Sequence, residues 1–126
     1  MEVVGVGIDI VEVDRMRRAL ERHPRLASRL FTAEEKLYCE SRRHPHLHFA
    51  ARFAAKEAAL KALGTGLRGV SWIDLEVFRD ELGRPHMRLS ERAVARARSL
   101  GIDRIMLSLS MSRAQAVASA LALKAG

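Results

Sequence analysis

The run from Phe49 to Leu63 constrains this chain more than any other stretch. It is the longest series of strong helix formers in the sequence, with no Pro and no Gly until Gly64, and it predicts a helix. Phe49, Phe53, Leu60 and Leu63 make an apolar stripe, and the alanines between them let neighbouring elements approach closely. Gly64 is placed to end the helix in a left-handed conformation. Glu57 and Lys61 stand four residues apart, one turn apart on the same face. Taken alone, this acid and amine read as an ordinary surface ion pair contributing about 0.3–0.5 kcal/mol.

A second stretch changes that weighing. Val3 to Val13 is almost continuously apolar and rich in β-branched residues, which predicts an early strand. Asp9 interrupts it. A carboxylate inside such a strand is costly unless it is hydrogen-bonded, paired or bound to a metal. A cap or a satisfied core acid is the plain reading of Asp9 by itself.

The length, 126 residues, suits one domain, 1–126, around one core. No linker, repeat or low-complexity tract divides it, and no apolar run is long enough to span a bilayer. The start, Met1-Glu2-Val3, lacks the basic flank of a signal peptide, and a single cysteine, Cys39, fits a reducing compartment. These features place the expected protein in the cytoplasm. The net charge of +7 points to an anionic partner. Residues 14–29 carry six arginines (15, 17, 18, 22, 25 and 29) against two acids, which is over half of that excess. On a helix over 14–22, Met16, Ala19 and Leu20 face inward while Arg15, Arg18 and Arg22 share another side. Such a face is either simply solvated or a docking surface for an acidic protein or nucleic acid. Little aromatic interleaving accompanies it, which weighs against nucleic acid.

Thr32-Ala33-Glu34-Glu35 has the form of a capping box opening a short helix to about Ser41. His44, His46 and His48 flank Pro45 without the spacing of a zinc site and read as solvated or capping residues. Trp72 to Phe78 alternates as a strand, Asp80 to Pro85 makes a turn, and Met87 to Leu89 returns. Ser90 caps a helix over about 91–100 that Gly101 stops. Ile105 to Met111 alternates again, with Ile105, Leu107, Leu109 and Met111 on one face and Ser108 and Ser110 on the other. The segment from Ala114 to Leu123 is helical by propensity and a strand by alternation.

The two motifs, Gly5-Val6-Gly7-Ile8-Asp9-Ile10-Val11-Glu12-Val13-Asp14-Arg15 and the run Arg52 to Gly66, together resemble the holo-acyl-carrier-protein synthases, the small bacterial 4′-phosphopantetheinyl transferases. The resemblance implies an α+β fold with a central long helix packed on a small, mainly antiparallel sheet, a closing strand at the tail, and a homotrimer with active sites at the subunit interfaces. It implies transfer of 4′-phosphopantetheine from coenzyme A to a serine of apo-acyl carrier protein, with Mg²⁺ held by Asp9 and Glu57. Glu57 and Lys61 take the catalytic roles in that picture. Arg52, Lys61, Gly64, Thr65, Gly66, Ser110, Met111 and Ser112 fall on the coenzyme A site, with Arg42 or Arg43 near its mouth. Arg15 and Arg25 match positions that meet the acidic carrier, and neither nucleic acid nor membrane is expected as a partner.

One position departs from the pattern. The family's strand usually ends Ser-x-Ser-His-Ser/Thr, and this chain has Ser108-Leu109-Ser110-Met111-Ser112. Methionine offers no strong donor and no charge, so weaker coenzyme A binding or an altered rate is expected. Two other classes stay open: a relative that binds coenzyme A without modifying carrier protein, and a basic nucleic-acid-binding protein.

Overall fold

The computed structural model describes residues 1–126. Strand β1 (Glu2–Glu12) passes directly into helix α1 (Val13–Arg22), followed by α2 (Leu26–Leu30) and α3 (Ala33–Glu40). The long helix α4 (Pro45–Leu63) comes next, then a 3-10 turn at Trp72–Asp74 and the hairpin β2 (Leu75–Arg79) and β3 (Pro85–Leu89). Helix α5 (Glu91–Ser99) and strands β4 (Arg104–Met111) and β5 (Gln115–Lys124) close the chain. The strands form an antiparallel sheet of order β1-β5-β4 and a separate antiparallel pair β2-β3. This is an α+β fold with α4 packed across one face of the larger sheet.

The seam between α4 and the sheet is made of the smallest side chains in the protein. Ala54, Ala55, Ala58, Ala59 and Ala62 of α4 are buried, and so are Ala118, Ala120 and Ala122 of β5. Beside them, β1 supplies Gly5 and Gly7, opposite Ala122 and Ala120 in register. A Cβ added to Gly7 would overlap the carbonyl oxygen of Ala58, and one on Gly5 that of Ala62. Helix and strand backbones therefore touch, and no side chain fits between them. The alternating tail becomes strand β5 because its alanine face is what this seam needs. Its helical propensity is overridden by packing.

Two local expectations shift. Helix α4 begins at Pro45, four residues before the alanine-rich run, because proline at the first helical position gives up an N–H that has no partner there anyway. His44 is exposed and makes no side-chain cap, as a solvated residue, whereas His46 and His48 lie half-buried in the first turns and neither cap nor stand free in solvent. Residues Trp72–Asp74 wind into a 3-10 turn where the alternation predicts strand. Asp74 accepts from the Ser71 N–H at 2.7 Å and the Ser90 hydroxyl at 2.7 Å, which bends the chain ahead of β2. The Thr32 capping box forms as expected, with Glu35 N–H donating to Thr32 Oγ1 at 3.2 Å and Thr32 N–H to Glu35 Oε1 at 2.9 Å. Cys39 is fully buried, and burial pushes its thiol up to about 12, so it supplies no nucleophile.

Beneath α4, Lys56 and Glu35 form an ion pair of 2.7 Å with neither side chain exposed. Glu35 also accepts from the Val77 N–H at 2.9 Å, tying α3, α4 and β2 together.

Because the Gly7–Ala58 contact is backbone to backbone, Gly7→Ala has no side chain to push aside. It should lower the free energy of unfolding by about 2–3 kcal/mol in urea titrations. A variant as stable as the parent would mean that the helix and strand are not in contact.

Candidate active site

The spacing along the seam explains why Asp9 meets α4. Gly5 lies against Ala62 and Gly7 against Ala58, so strand and helix run in opposite directions. Two strand residues advance about 6.7 Å and four helix residues about 6 Å, so the two elements stay in step. The next inward position on β1 is Asp9, where the chain first offers a side chain instead of a bare backbone. Lys61 reaches over from α4 and donates to the Ile8 carbonyl at 3.0 Å and to Asp9 Oδ1 at 3.1 Å. Glu57, one turn back on the same helix face, completes the group.

The electrostatics of the trio are uneven. Partial burial and then the neighbouring Asp9 charge raise the Glu57 carboxyl above its ordinary value, and the Lys61 ammonium offsets this only partly. The Lys61–Asp9 contact has side chains 54% and 20% exposed, a setting in which an ion pair contributes about 0.2–1 kcal/mol. Such a pair holds the side chains in place yet opens readily for a ligand. No group of three or more His, Cys, Asp or Glu side chains is arranged to hold a metal, so the protein offers two carboxylates here and no closed cage.

Glu57 and Lys61 stand on the wall between two cavities. One, of about 610 Å³, is lined by Asp9, Arg15, Leu30, Phe53, Glu57 and Lys61 among others. The other, of about 490 Å³, lies beyond Lys61 and is lined by Gly64, Gly66, Leu67 and Trp72 together with the same Glu57 and Lys61. Gly64 ends α4 at φ 79°, and its N–H returns to the Leu60 carbonyl at 3.0 Å. Thr65 sits between the two glycines with its hydroxyl 3.4 Å from the Gly66 carbonyl.

Arg15 lines the larger cavity, and Arg25 borders an adjoining depression with Arg29. Arg17 and Arg18 are held by Asp14 and Glu21, whereas Arg15, Arg22, Arg25 and Arg29 have no carboxylate partner. The free charge of the cluster thus lies beside the cavity that contains Asp9.

Other expected site residues stand apart from this group. Arg52 is 1% exposed, stacked 4.1 Å over the Tyr38 ring, and its Nε and Nη1 have no hydrogen-bond partner. Ser110 is exposed on the face of β4 that points away from α4, while Met111 packs with Tyr38 and Phe53 against an apolar cluster. The Ser112 hydroxyl is occupied in the β4–β5 turn, accepting from the Gln115 N–H at 3.1 Å. Sequence reasoning passed over Lys56 and its pairing with Glu35, because a lysine beside a glutamate in a helix looks solvated. The signal was the environment of Lys56, with alanines at 54, 55, 58 and 59 surrounding it on a helix apolar on nearly every side.

A model of the 4′-phosphopantetheinyl transferase superfamily matches residues 5–118. The holo-acyl-carrier-protein synthase of Moorella thermoacetica is 51% identical over 119 residues, covering 94% of this chain and 93% of that one. Among solved structures, the synthase of Neisseria meningitidis superposes with a TM-score of 0.91 at 35% identity, covering 98% of this chain and 100% of the other. That of Bacillus anthracis, in complex with CoA (3′,5′-ADP), does so with a TM-score of 0.81 at 32% identity over 98% of each chain. This chain is therefore an enzyme that belongs to the 4′-phosphopantetheinyl transferase superfamily, among the holo-acyl-carrier-protein synthases.

Proposed function

We propose that residues 1–126 act as one catalytic domain. It moves the 4′-phosphopantetheine arm of coenzyme A onto a serine hydroxyl of an apo-acyl carrier protein and releases adenosine 3′,5′-bisphosphate, in support of fatty acid or polyketide synthesis in the cytoplasm. The observation that carries this reading is the trio Asp9, Glu57 and Lys61 on the wall shared by two cavities. Transfer at phosphorus needs two substrates aligned about one anionic centre, and this wall faces both. The basic side, with Arg15 and beyond it Arg25, suits the acidic carrier. The side bounded by Gly64, Thr65 and Gly66 suits the diphosphate of coenzyme A, since backbone N–H groups past a helix end can approach phosphate closely.

The residues fit a magnesium ion. Asp9 and Glu57 are hard oxygen donors, and partial burial followed by the Asp9 charge raises the Glu57 carboxyl, which Lys61 offsets only in part. Two carboxylates also match the habit of Mg²⁺ of completing its shell with water and substrate phosphate. When bound there, the ion would neutralise diphosphate oxygens and polarise the phosphorus under attack. Lys61 offsets charge on the leaving phosphate once substrate draws it from Asp9. Among the carboxyls lining the cavities, Glu57 is the one whose acidity the fold shifts toward proton uptake, which makes it our candidate to receive the serine proton.

We further propose a homotrimer in which a neighbouring subunit completes the nucleotide pocket. Along the outer face of the sheet, Val6, Leu121 and Met106 lie directly across from one another, followed by the rows Ile8-Ser119-Ser108 and Ile10-Val117-Ser110. Val6 is 65%, Ile8 62% and Ile10 56% exposed, an apolar face of the kind that packs against another chain. Ser110 lies on that face, which supports a role for Ser110 at a boundary between subunits. Met111 presents a thioether where such sites usually carry a histidine, so coenzyme A binding weaker than in relatives is part of the reading.

Incubation with Mg²⁺, coenzyme A and apo-carrier protein should add one phosphopantetheine group to the carrier by mass spectrometry. Asp9→Ala and Glu57→Ala should each slow this by on the order of 100-fold while leaving the fold intact. No mass gain with coenzyme A still bound would instead identify a non-transferring relative, and salt-sensitive binding to nucleic acid with indifference to both ligands would refute the enzyme.

The raised Glu57 carboxyl has a definite sign. Its ionised form is disfavoured in the fold, so its contribution to stability is present below the ordinary glutamate value and is lost as pH rises through the folded value. Glu57→Gln should raise the thermal midpoint at pH 7 in the absence of divalent cations and abolish the further rise that Mg²⁺ produces in the parent. A lower midpoint, or an undiminished Mg²⁺ response, would remove Glu57 from the metal site.

Ile8→Glu should convert trimers to monomers in light scattering. A variant of unchanged mass would place the interface elsewhere.

A further inference from the structure

Lys56, the residue before Glu57, is buried in the interior on a different side of α4 from the transfer site. Its ammonium donates to the Leu30 carbonyl at 2.6 Å, to Glu35 Oε1 at 2.7 Å and to the Trp72 carbonyl at 3.0 Å. Three acceptors use all three of its donors. The Phe31 ring lies 5.2 Å away, so the charge is enclosed as well as paired.

Stability alone is a weak reason for this arrangement. Replacing a buried ion pair by apolar groups of similar volume is often neutral or stabilising, because desolvation cancels much of the attraction. What the ammonium does achieve is positional. Leu30 lines the cavity that holds Asp9 and Arg15, and Trp72 lines the cavity beside Gly64 and Gly66. Phe53, on the first cavity, packs on Trp72 with ring centroids 5.1 Å apart. Neither Leu30 nor Trp72 belongs to α4, yet both are fastened by their backbone to the residue next to Glu57.

We propose that Lys56 is a positioning residue for the transfer: its ammonium holds the far walls of both substrate cavities at a set distance from Glu57 and Lys61. Glu35 keeps that ammonium charged and aimed. The walls of the carrier cavity and of the coenzyme A cavity are thereby set by one side chain, which rests on the functional reading above for the identity of the two substrates.

The test uses Lys56→Met combined with Glu35→Gln, which removes both charges and shortens the lysine by one atom. Trp72 is the only tryptophan in the chain, so its fluorescence reports on one wall directly. In a double variant that unfolds cooperatively in urea, acrylamide quenching of Trp72 should increase. The Kd for coenzyme A and the KM for carrier protein should each rise on the order of tenfold, with kcat changed far less because Asp9, Glu57 and Lys61 are untouched. A merely structural role would lower the amount of active protein, and so kcat, at unchanged KM, Kd and quenching; that pattern overturns the proposal. If the double variant does not unfold cooperatively, Lys56→Gln is read in the same way, since one neutral amide has too few N–H groups for three acceptors. Should the parent protein itself neither bind coenzyme A nor modify carrier, the functional reading has failed, and the quenching of Trp72 in the variant still decides whether Lys56 holds the wall.

Discussion

The bare contact of Gly5 and Gly7 with the backbone of α4 is the constraint on which the structure depends. It sets the depth at which the helix lies on the sheet, and depth decides whether two carboxylates from distant parts of the chain share a site. A helix held away by ordinary side chains would sit a few ångströms higher, since packed helices and sheets are typically about 10 Å apart. Glu57 and Lys61 would then be lifted off Asp9. The alanines of α4 and β5 extend the same shallow seam sideways, so the whole sheet accepts the helix at this height.

Close backbone packing leaves little apolar area per residue to stabilise the seam, and the larger side chains lie elsewhere. Phe31, Phe49, Leu30 and Met16 form a second cluster around the other end of α4. Between the clusters, Lys56 and Glu35 bond α2, α3, α4, the Trp72 turn and β2 to one another. The outer sheet face is the reverse of the inner one. Its valines and isoleucines are large and exposed.

Much of this was legible from residues. A strand broken by one acid, a proline-free helix with Glu57 and Lys61 on one face, and the capping residues Thr32, Ser90 and Gly64 all stand where their chemistry predicts. The tail was not decidable from the chain alone, because alanine alternation satisfies a helix and a strand equally until a helix is laid against it. The 3-10 turn at Trp72 escaped because its cause is long-range: Asp74 bonds to Ser90, sixteen residues on. Lys56 escaped for a similar reason, its partners lying at Leu30, Glu35 and Trp72. At the site, Glu57 and Lys61 were readable as one helix face, whereas joining Asp9 to them rested on the resemblance. The surroundings of Arg52, Ser110 and Ser112 depend on which faces the finished sheet leaves open, and periodicity does not report that.

The central claim is that the glycine seam brings Asp9 and Glu57 to one divalent ion beside a diphosphate. Crystals of the chain grown with Mn²⁺ and coenzyme A, measured at the manganese absorption edge, test it most directly. The account predicts a single anomalous peak bridging the Asp9 and Glu57 carboxylates and the coenzyme A diphosphate. A peak elsewhere with coenzyme A in place, or the two carboxylates turned apart about a bound diphosphate with no metal between them, would contradict it.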